Sequence, residues 1–458
     1  MNISLPQNPD AIAEIKEIMS MKQTFMSSKN STPMLSLKED MITGWYMLTQ
    51  GLVPVKKDIW LDAVIQLGID FVTQKLKQIR SVYRTIPLFQ EIKTQLAEES
   101  SASSDQLDEL ALDRLVYSGF GLFSMLFPND FEMTIVNRKS KDGKPVQITQ
   151  GTMISGTLNK DVLGNDSGCL MHHIAKDYGN QIASEFVYRL ESLVCDIFQH
   201  IGFSVGIRDY IPTSLKPIEK AIEDAFFKVI SHMENQPDPY IRELKICSEL
   251  DQPSQKGLAY ATETLHKDTN NLVAMVDCGS KGTWVNIAKI TSVLGQYFVQ
   301  SQRIKKVFGG RTLCCFPRYS LRSDTPDQLP LHFTYPDVQR IIQSRGFIQN
   351  SFFNGLNPIE YFLISLDGRQ GLVATQINTA ETGYISRKIA KILEDIQISY
   401  AGTVVTPSQN IIQFAYGGDN LDAAKMIRYQ KDPTRYSFID IRHATDRVNK
   451  QFEIKSQK

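Results

Sequence analysis

Hydrophobic and polar positions follow two different periods along this chain, and each change of period marks an element. From about Asp10 to Met19, and again from about Lys38 to Leu48, apolar residues recur every three to four positions, which predicts helices. The stretch Ser27-Ser28-Lys29-Asn30-Ser31-Thr32-Pro33 between them is a turn-rich connector. Ahead of both, Met1-Asn2-Ile3-Ser4-Leu5-Pro6 reads as a strand already running where the sequence begins. Lys57 to about Leu115 is mainly helical, interrupted by the polar loop Glu98–Asp105. Between Phe127 and Leu163 the pattern turns to strands and turns. Phe131–Val136 alternates, and Lys139–Lys144, with Asp142-Gly143, has the chemistry of a hairpin turn. Helices resume at Leu170–Tyr178 and Asn180–Ile201. Ser204–Asp209 is a short extended link, and a long polar-faced helix follows from about Ser214 to Met233. A less regular, charged region then reaches Asn270, and no internal repeat is visible.

Leu356–Gly402 carries the most informative local pattern. Asn357 is a good N-cap, Pro358 suits the first helical position, and Glu360 falls where it reaches back to the cap. Tyr400-Ala401-Gly402 provides a stop. The intervening stretch of about 40 residues has no further proline and would make a helix roughly 60 Å long. Heptads are absent, and Gly368, Gly371 and Gly383 interrupt it at about 1 kcal/mol each. Its middle, Asn378-Thr379-Ala380-Glu381-Thr382-Gly383, is small and polar. Such a surface suits a helix that bridges solvent or other domains and lets a flat object, such as a base pair, approach the backbone. Composition alone favours a plainer outcome, two surface helices broken near Gly368–Gly371.

The remaining chemistry mostly excludes. The 458 residues predict about two to four domains or one composite body. With 42% apolar and 22% charged residues, wholesale disorder is excluded. Fifty basic residues balance fifty acidic ones, which argues against a protein that simply coats DNA but not against one part of a larger nucleic-acid machine. No apolar run reaches roughly 18 residues and no charged-then-apolar stretch opens the chain, so neither a membrane span nor secretory targeting is expected. Cys169, Cys195, Cys247, Cys278, Cys314 and Cys315 include no C-x-x-C pair, so no zinc site is expected and the thiols are read as reduced and intracellular. His172-His173 has no further histidine or cysteine at i+4, and nothing joins these histidines and a cysteine into the nucleophile–base–orienter set of a nuclease or protease.

Several blocks, in order, resemble the largest subunit of multisubunit RNA polymerases. Gly355-Leu356-Asn357-Pro358, Gly368-Arg369-Gln370-Gly371-Leu372, Thr379-Ala380-Glu381-Thr382-Gly383-Tyr384-Ile385 and Leu393-Glu394-Asp395 are similar to that family's bridge helix. The resemblance continues through Ile412–Gly417 and Asp419–Asp422. Leu122-Phe123-Ser124 with Pro128, Ile154–Lys160 and Leu163-Gly164 resemble its pore module, and Gly202–Asp209 the junction with its funnel. Gly279–Gly282, Asn286-Ile287, Gly295-Gln296 and Arg311-Thr312-Leu313 resemble the funnel's closing part. Met1-Asn2-Ile3 with Leu5-Pro6-Gln7 resembles the segment directly after the family's catalytic N-A-D-F-D-G-D signature. Ser27–Pro33, Lys38–Asp40 and Gly44–Thr49 resemble the stretch that follows it. Thr213–Asn270 and the tail after Asp422 match least. The likeness is closer to eukaryotic, archaeal and large-DNA-virus forms than to bacterial ones. Asp367 stands where glycine is usual, Asn378 where a basic residue is usual, and Cys314-Cys315 where Pro-His is usual, departures that point to a viral enzyme.

The resemblance reverses the preference for two helices and implies a mixed α/β, multi-module fold. Residues 1–22 would end a double-psi β-barrel, 23–207 form the pore module and 208–340 the helical funnel. Residues 341–402 would hold the bridge helix and its lead-in, and 403–458 the start of the cleft module. It implies part of the catalytic subunit of a DNA-directed RNA polymerase, a nucleotidyltransferase using Mg²⁺. The metal-binding aspartates would lie before Met1 and the trigger loop after Lys458, so no catalytic or metal residue is expected in this chain and the chain alone is expected to be inactive. Thr379 and Ala380 would face the template base pair, Tyr384 would stack on or abut the downstream template base, and Arg387 and Lys388 would contact phosphate. Gly383 would let the helix bend. Implied partners are the second-largest subunit, smaller subunits, DNA template, RNA, nucleoside triphosphates and a cleavage factor at the funnel, with no membrane. The implied location is host cytoplasm and virion for a viral enzyme, and otherwise the nucleus. The competing class is a non-catalytic, polymerase-like interaction or regulatory protein.

Overall fold

The computed structural model describes residues 3–99, 103–135, 144–212, 214–265, 269–307, 311–316, 335–422, 424, 426–428, 436–437 and 445. They form a helix-rich fold with small antiparallel sheets, divided into two compact units. The first comprises residues 1–203, 277–281 and 419–458, the second 204–276 and 282–418.

The first unit contains α1 (Pro9–Glu14), continued by a π-helical turn at Ile15–Met19, then α2 (Asp40–Thr49), α3 (Lys57–Leu67), α4 (Ile69–Tyr83), α5 (Pro87–Glu99), α6 (Ser104–Val116) and α7 (Gly119–Ser124). Strands β1 (Met133–Ile135), β2 (Val146–Thr149) and β3 (Thr152–Ser155) make one antiparallel sheet in the order β1-β2-β3. Gln150 and Gly151, at φ 48° and 63°, form the two-residue turn that joins β2 to β3 with the twist a hairpin needs. Helices α8 (Lys160–Leu163), α9 (Leu170–Tyr178) and α10 (Asn180–Ile201) follow. The core is a chain of aromatic rings. Trp45 meets Phe123 edge-on at 5.0 Å, Phe123 meets Phe127 at 4.9 Å, and Phe127 touches both Phe131 and Phe186 at 5.2 Å. The buried Trp45 Nε1 donates to the Leu190 carbonyl and ties α2 to α10. A side chain at Gly119 would stand 2.0 Å from the Leu48 carbonyl oxygen, so only glycine lets α7 approach α2 this closely.

The second unit contains α11 (Lys216–Asn235), α12 (Pro239–Thr264), α13 (Asn271–Cys278, whose last two residues belong to the first unit), α14 (Trp284–Thr291), β4 (Gly295–Gln296), α15 (Tyr335–Ser344), β5 (Phe347–Ile348) and α16 (Pro358–Leu393). Ile218, Ile222, Phe226, Val229 and Met233 form one stripe of α11 at helical spacing. They pack with Ile246 and Leu250 of α12, Val338, Ile341 and Ile342 of α15, and Phe347 of β5. Leu294, Ile304, Ile348 and Leu363 make a smaller cluster that holds the first turns of α16. After α16, β6 (Gln397–Ile398), β7 (Val404–Val405) and β8 (Ile411–Gln413) form an antiparallel meander.

Four expectations are corrected. The segment from Ile3 to Pro6 belongs to no strand, and Ile3 and Leu5 are exposed, so two apolar residues in alternation do not make a strand without a neighbour to pair with. The charged region before Asn270 is the 26-residue α12. Asp238 caps it through the backbone N–H groups of Tyr240 and Ile241, and Ile246, Leu250, Pro253, Gly257 and Ala261 form its buried stripe. Burial along that stripe offsets the hydrogen bond lost at Pro253. The link Ser204–Asp209 is extended only at its start, because Ile207–Tyr210 is a 3₁₀ turn closed by Asp209 accepting from the Gly206 N–H at 2.8 Å. The long helix ends at Leu393 rather than at Tyr400-Ala401-Gly402. That triplet makes the turn between β6 and β7, with Gly402 at φ 81° and the Ser399 N–H donating to the Thr403 carbonyl. The hairpin turn expected at Lys139–Lys144 lies outside the described residues except for Lys144.

Candidate nucleic-acid interface

One uninterrupted helix runs from Pro358 to Leu393, 36 residues or about 54 Å, through all three glycines. The two-helix alternative is therefore excluded. Its start is built as the sequence predicts. The Glu360 N–H donates to Asn357 Oδ1 at 2.8 Å, and the Asn357 N–H donates to Glu360 Oε2 at 3.1 Å. Glu360 is buried and also accepts from Asn350 Nδ2 at 2.9 Å, while Leu363 enters the small core cluster beneath. Only these two residues of α16 are buried.

From Ala374 to Leu393 every residue is exposed. A Cβ added at Gly368, Gly371 or Gly383 would meet nothing within 4 Å. Three glycines cost about 3 kcal/mol of helix propensity, and no packing among the described residues offsets it. Thr375, Thr379 and Thr382 donate their hydroxyls to the carbonyls four residues earlier, at 2.8, 2.9 and 2.6 Å. These hydroxyls are satisfied by the helix itself, so the threonines present methyl groups outward, and such back-bonding locally loosens a helix. A flat partner would meet a smooth surface with little hydrogen-bonding preference.

Spacing sorts the remaining side chains into two faces. Gln376, Ala380, Gly383 and Arg387 follow one another at i, i+4, i+7 and i+11, bordered by Tyr384, Lys388 and Lys391. This face is small in its middle and basic toward its end. Ile385, Ile389 and Ile392 follow at i, i+4 and i+7 on the opposite side, all exposed. Thr379 flanks the first face. The Tyr384 ring is 62% exposed, and Lys388 Nζ lies 3.9 Å from its centre. All six sequence-predicted site residues thus lie within three turns of one solvent-facing helix, and of these contacts the sequence reading missed the pairing of Lys388 with Tyr384. The i, i+4 spacing of cation and ring was its available signal.

Two other groups were not anticipated. The Gln370 side chain accepts from the Gln300 N–H at 2.8 Å and steadies α16 about two turns beyond Leu363. Glu243 of α12 pairs with Arg303 at 3.4 Å and with Arg345 at 3.0 Å. Arg303 is buried, its Nε and Nη2 have no hydrogen-bond partner among the described residues, and burial pulls its pKa down to about 10. The three residues lie 42 and 60 positions apart, so no local pattern could reveal them.

The two histidines differ in setting, His172 buried and His173 only partly so. His172 is buried, its Nδ1 accepts from the Gly168 N–H at 3.3 Å, and burial pushes its pKa down to about 4, so it is neutral at pH 7. Burial raises the Cys169 thiol to about 12. Among the described residues no three His, Cys, Asp or Glu side chains are grouped to hold a metal ion, and no helix is long and apolar enough to cross a membrane.

Three family models match the chain in order: RNA polymerase Rpb1, domain 3, over residues 24–210; domain 4 over 230–326; and domain 5 over 355–446. Invertebrate iridescent virus 6 has a probable DNA-directed RNA polymerase II subunit RPB1 homolog that is 29% identical over 462 residues, covering 99% of this chain and 42% of that protein. The DNA-directed RNA polymerase III subunit RPC1 of Saccharomyces cerevisiae is 28% identical over 463 residues, 93% of this chain and 28% of its own length. The DNA-directed RNA polymerase subunit Rpo1N of Halobacterium salinarum is 26% identical over 472 residues, 100% of this chain and 42% of its own. The chain thus spans between 28% and 42% of these relatives. With matches to three successive domains and to viral, fungal and archaeal relatives, the chain belongs to the family of the largest subunits of multisubunit DNA-directed RNA polymerases.

Proposed function

We propose that this chain lines the nucleotide-entry channel of a DNA-directed RNA polymerase and supplies, as α16, the helix that crosses the cleft beside the site of nucleotide addition. The observation that carries this reading is the bare helix itself. A 36-residue helix with three glycines and a smooth, small-residue centre, held among the described residues at its first turns and at Gln370, is suited to contact by something outside this chain. Thr379 and Ala380 would meet the nascent base pair. Tyr384 would meet the downstream template base, through stacking that tolerates any base. Arg387 would hold phosphate, which positions the strand without reading it. Gly383 and the back-bonded threonines would allow the helix to bend as the template advances.

Residues 23–207 would then form the pore module, 208–340 the funnel and 341–402 the bridge helix with its lead-in, flanked by the end of a double-psi barrel and the start of the cleft module. The exposed isoleucines on the opposite face of α16 suit polypeptide contact within an assembly that includes the second-largest subunit. Such polymerases use Mg²⁺, and no ligand set for it is grouped among the described residues of this chain. The alternative of a non-catalytic binding protein is not favoured, because the relatives in viral, fungal and archaeal polymerases are largest subunits.

The test is Ala380→Trp in the assembled enzyme. The added ring would project into the space read as the base-pair site, so RNA synthesis is expected to be abolished while assembly is retained. Normal elongation by that variant would overturn the placement.

A further inference from the structure

Arg387 and Lys388 stand side by side, and the sequence alone treats them alike, as cations facing phosphate. The structure separates them. Lys388 lies one turn after Tyr384, and its Nζ sits 3.9 Å from the centre of that ring, close enough for the negative face of the phenol to hold the cation. In the same i−4 relation to Arg387 stands Gly383, which offers no side chain at all. Tyr384 is otherwise exposed, and no second aromatic ring packs on it among the described residues. Lys388 is therefore the group that restrains an aromatic ring on an otherwise bare helix. A side chain ordered before its partner arrives loses less freedom on binding.

We propose that Lys388 is a positioning residue for Tyr384: it covers one face of the ring and holds it in a single orientation, leaving the other face to receive a nucleobase of the template strand. This rests on reading α16 as the helix beside the nucleotide-addition site. It divides the labour of the basic pair. Arg387 keeps the phosphate contact, and Lys388 acts through the ring. The base is recognised by its π-face, so the arrangement works for all four bases.

The assembled polymerase is tested on a template carrying 2-aminopurine at the downstream position, with Lys388→Gln, Lys388→Arg, Tyr384→Leu and the Tyr384→Leu/Lys388→Gln double variant. Lys, Gln and Arg have nearly equal helix propensity, so α16 is retained in the Lys388 series. The readouts are fluorescence quenching of the base, the rate of nucleotide addition and the salt dependence of scaffold binding. Lys388→Gln is expected to weaken quenching and slow addition about two- to fivefold, the scale of an exposed cation–ring contact. Lys388→Arg should restore both, adding Lys388→Gln to Tyr384→Leu should change nothing further, and the salt slope should stay as it was. The proposal is overturned if Lys388→Gln slows addition by the same factor with and without Tyr384→Leu and lowers the salt slope by about one, the mark of a phosphate contact. That outcome leaves the role of Tyr384 intact. If Tyr384→Leu itself leaves quenching unchanged, the reading of α16 falls and the role of Lys388 falls with it.

Discussion

Helices α12 and α16 begin with the same local chemistry, an Asp or Asn N-cap followed by proline, and both belong to the second unit. Along α12 a stripe from Ile246 to Ala261 is buried, and the helix continues through Pro253. Along α16 only Glu360 and Leu363 are buried, and the helix continues through three glycines. In α12 tertiary packing compensates a residue that breaks helices. In α16 no described residue packs on the glycines to compensate them, and the proposed function is what would supply contacts outside the chain. Burial explains why α12 forms; exposure combined with unfavourable propensity is what the proposal of a partner for α16 rests on.

The contrast predicts different sensitivities. Phe226 is fully buried against Phe347 at 5.3 Å, in the cluster that α12 shares with α11 and α15. Phe226→Ala is expected to cost about 3–5 kcal/mol in denaturant unfolding, whereas Ile377→Ala on α16 should stay within about 0.5 kcal/mol. Equal losses at the two positions would break the distinction.

Packing also governs titration, and His172 in the first unit tests this. Its folded pKa of about 4 lies below the ordinary value near 6.5, so between those pH values the unfolded chain binds the proton and the folded chain does not. Stability should therefore fall as pH drops from about 6.5 to 4, by on the order of 2–3 kcal/mol, and then level off for this group. His172→Leu should remove that component of the acid dependence. An unchanged pH profile in the variant would show that His172 is not held neutral.

The smallest expected effect sharpens the comparison most. Gly383→Ala adds a methyl group that meets nothing within 4 Å and should stabilise α16 by up to about 1 kcal/mol. If Gly383 serves bending, the same change should slow elongation by the assembled enzyme. Faster or unchanged elongation would remove that role from Gly383.

Much of this was legible in the sequence where local rules suffice. Helices at Leu170–Tyr178 and Asn180–Ile201 have the expected bounds, and the Asn357–Glu360 capping box forms as its spacing predicts. The continuity of α16 was not legible from composition, because three glycines argue for a break and only the resemblance argued against one. Helix α12 was missed because its buried stripe is diluted by charged residues and interrupted by Pro253. The strand expected at the start failed because pairing is a property of a neighbour, which Ile3 and Leu5 cannot encode. The ring contact of Lys388 was legible in spacing alone but was masked by the adjacent Arg387.

The most direct test of α16 as the helix beside the nucleotide-addition site is a photocrosslink. The assembled polymerase, halted on a template carrying 4-thiothymidine at the addition position, is irradiated and digested, and the crosslinked peptide is identified by mass spectrometry. Crosslinks are expected within residues 376–388 of this chain. Efficient crosslinking that maps wholly elsewhere would contradict the assignment.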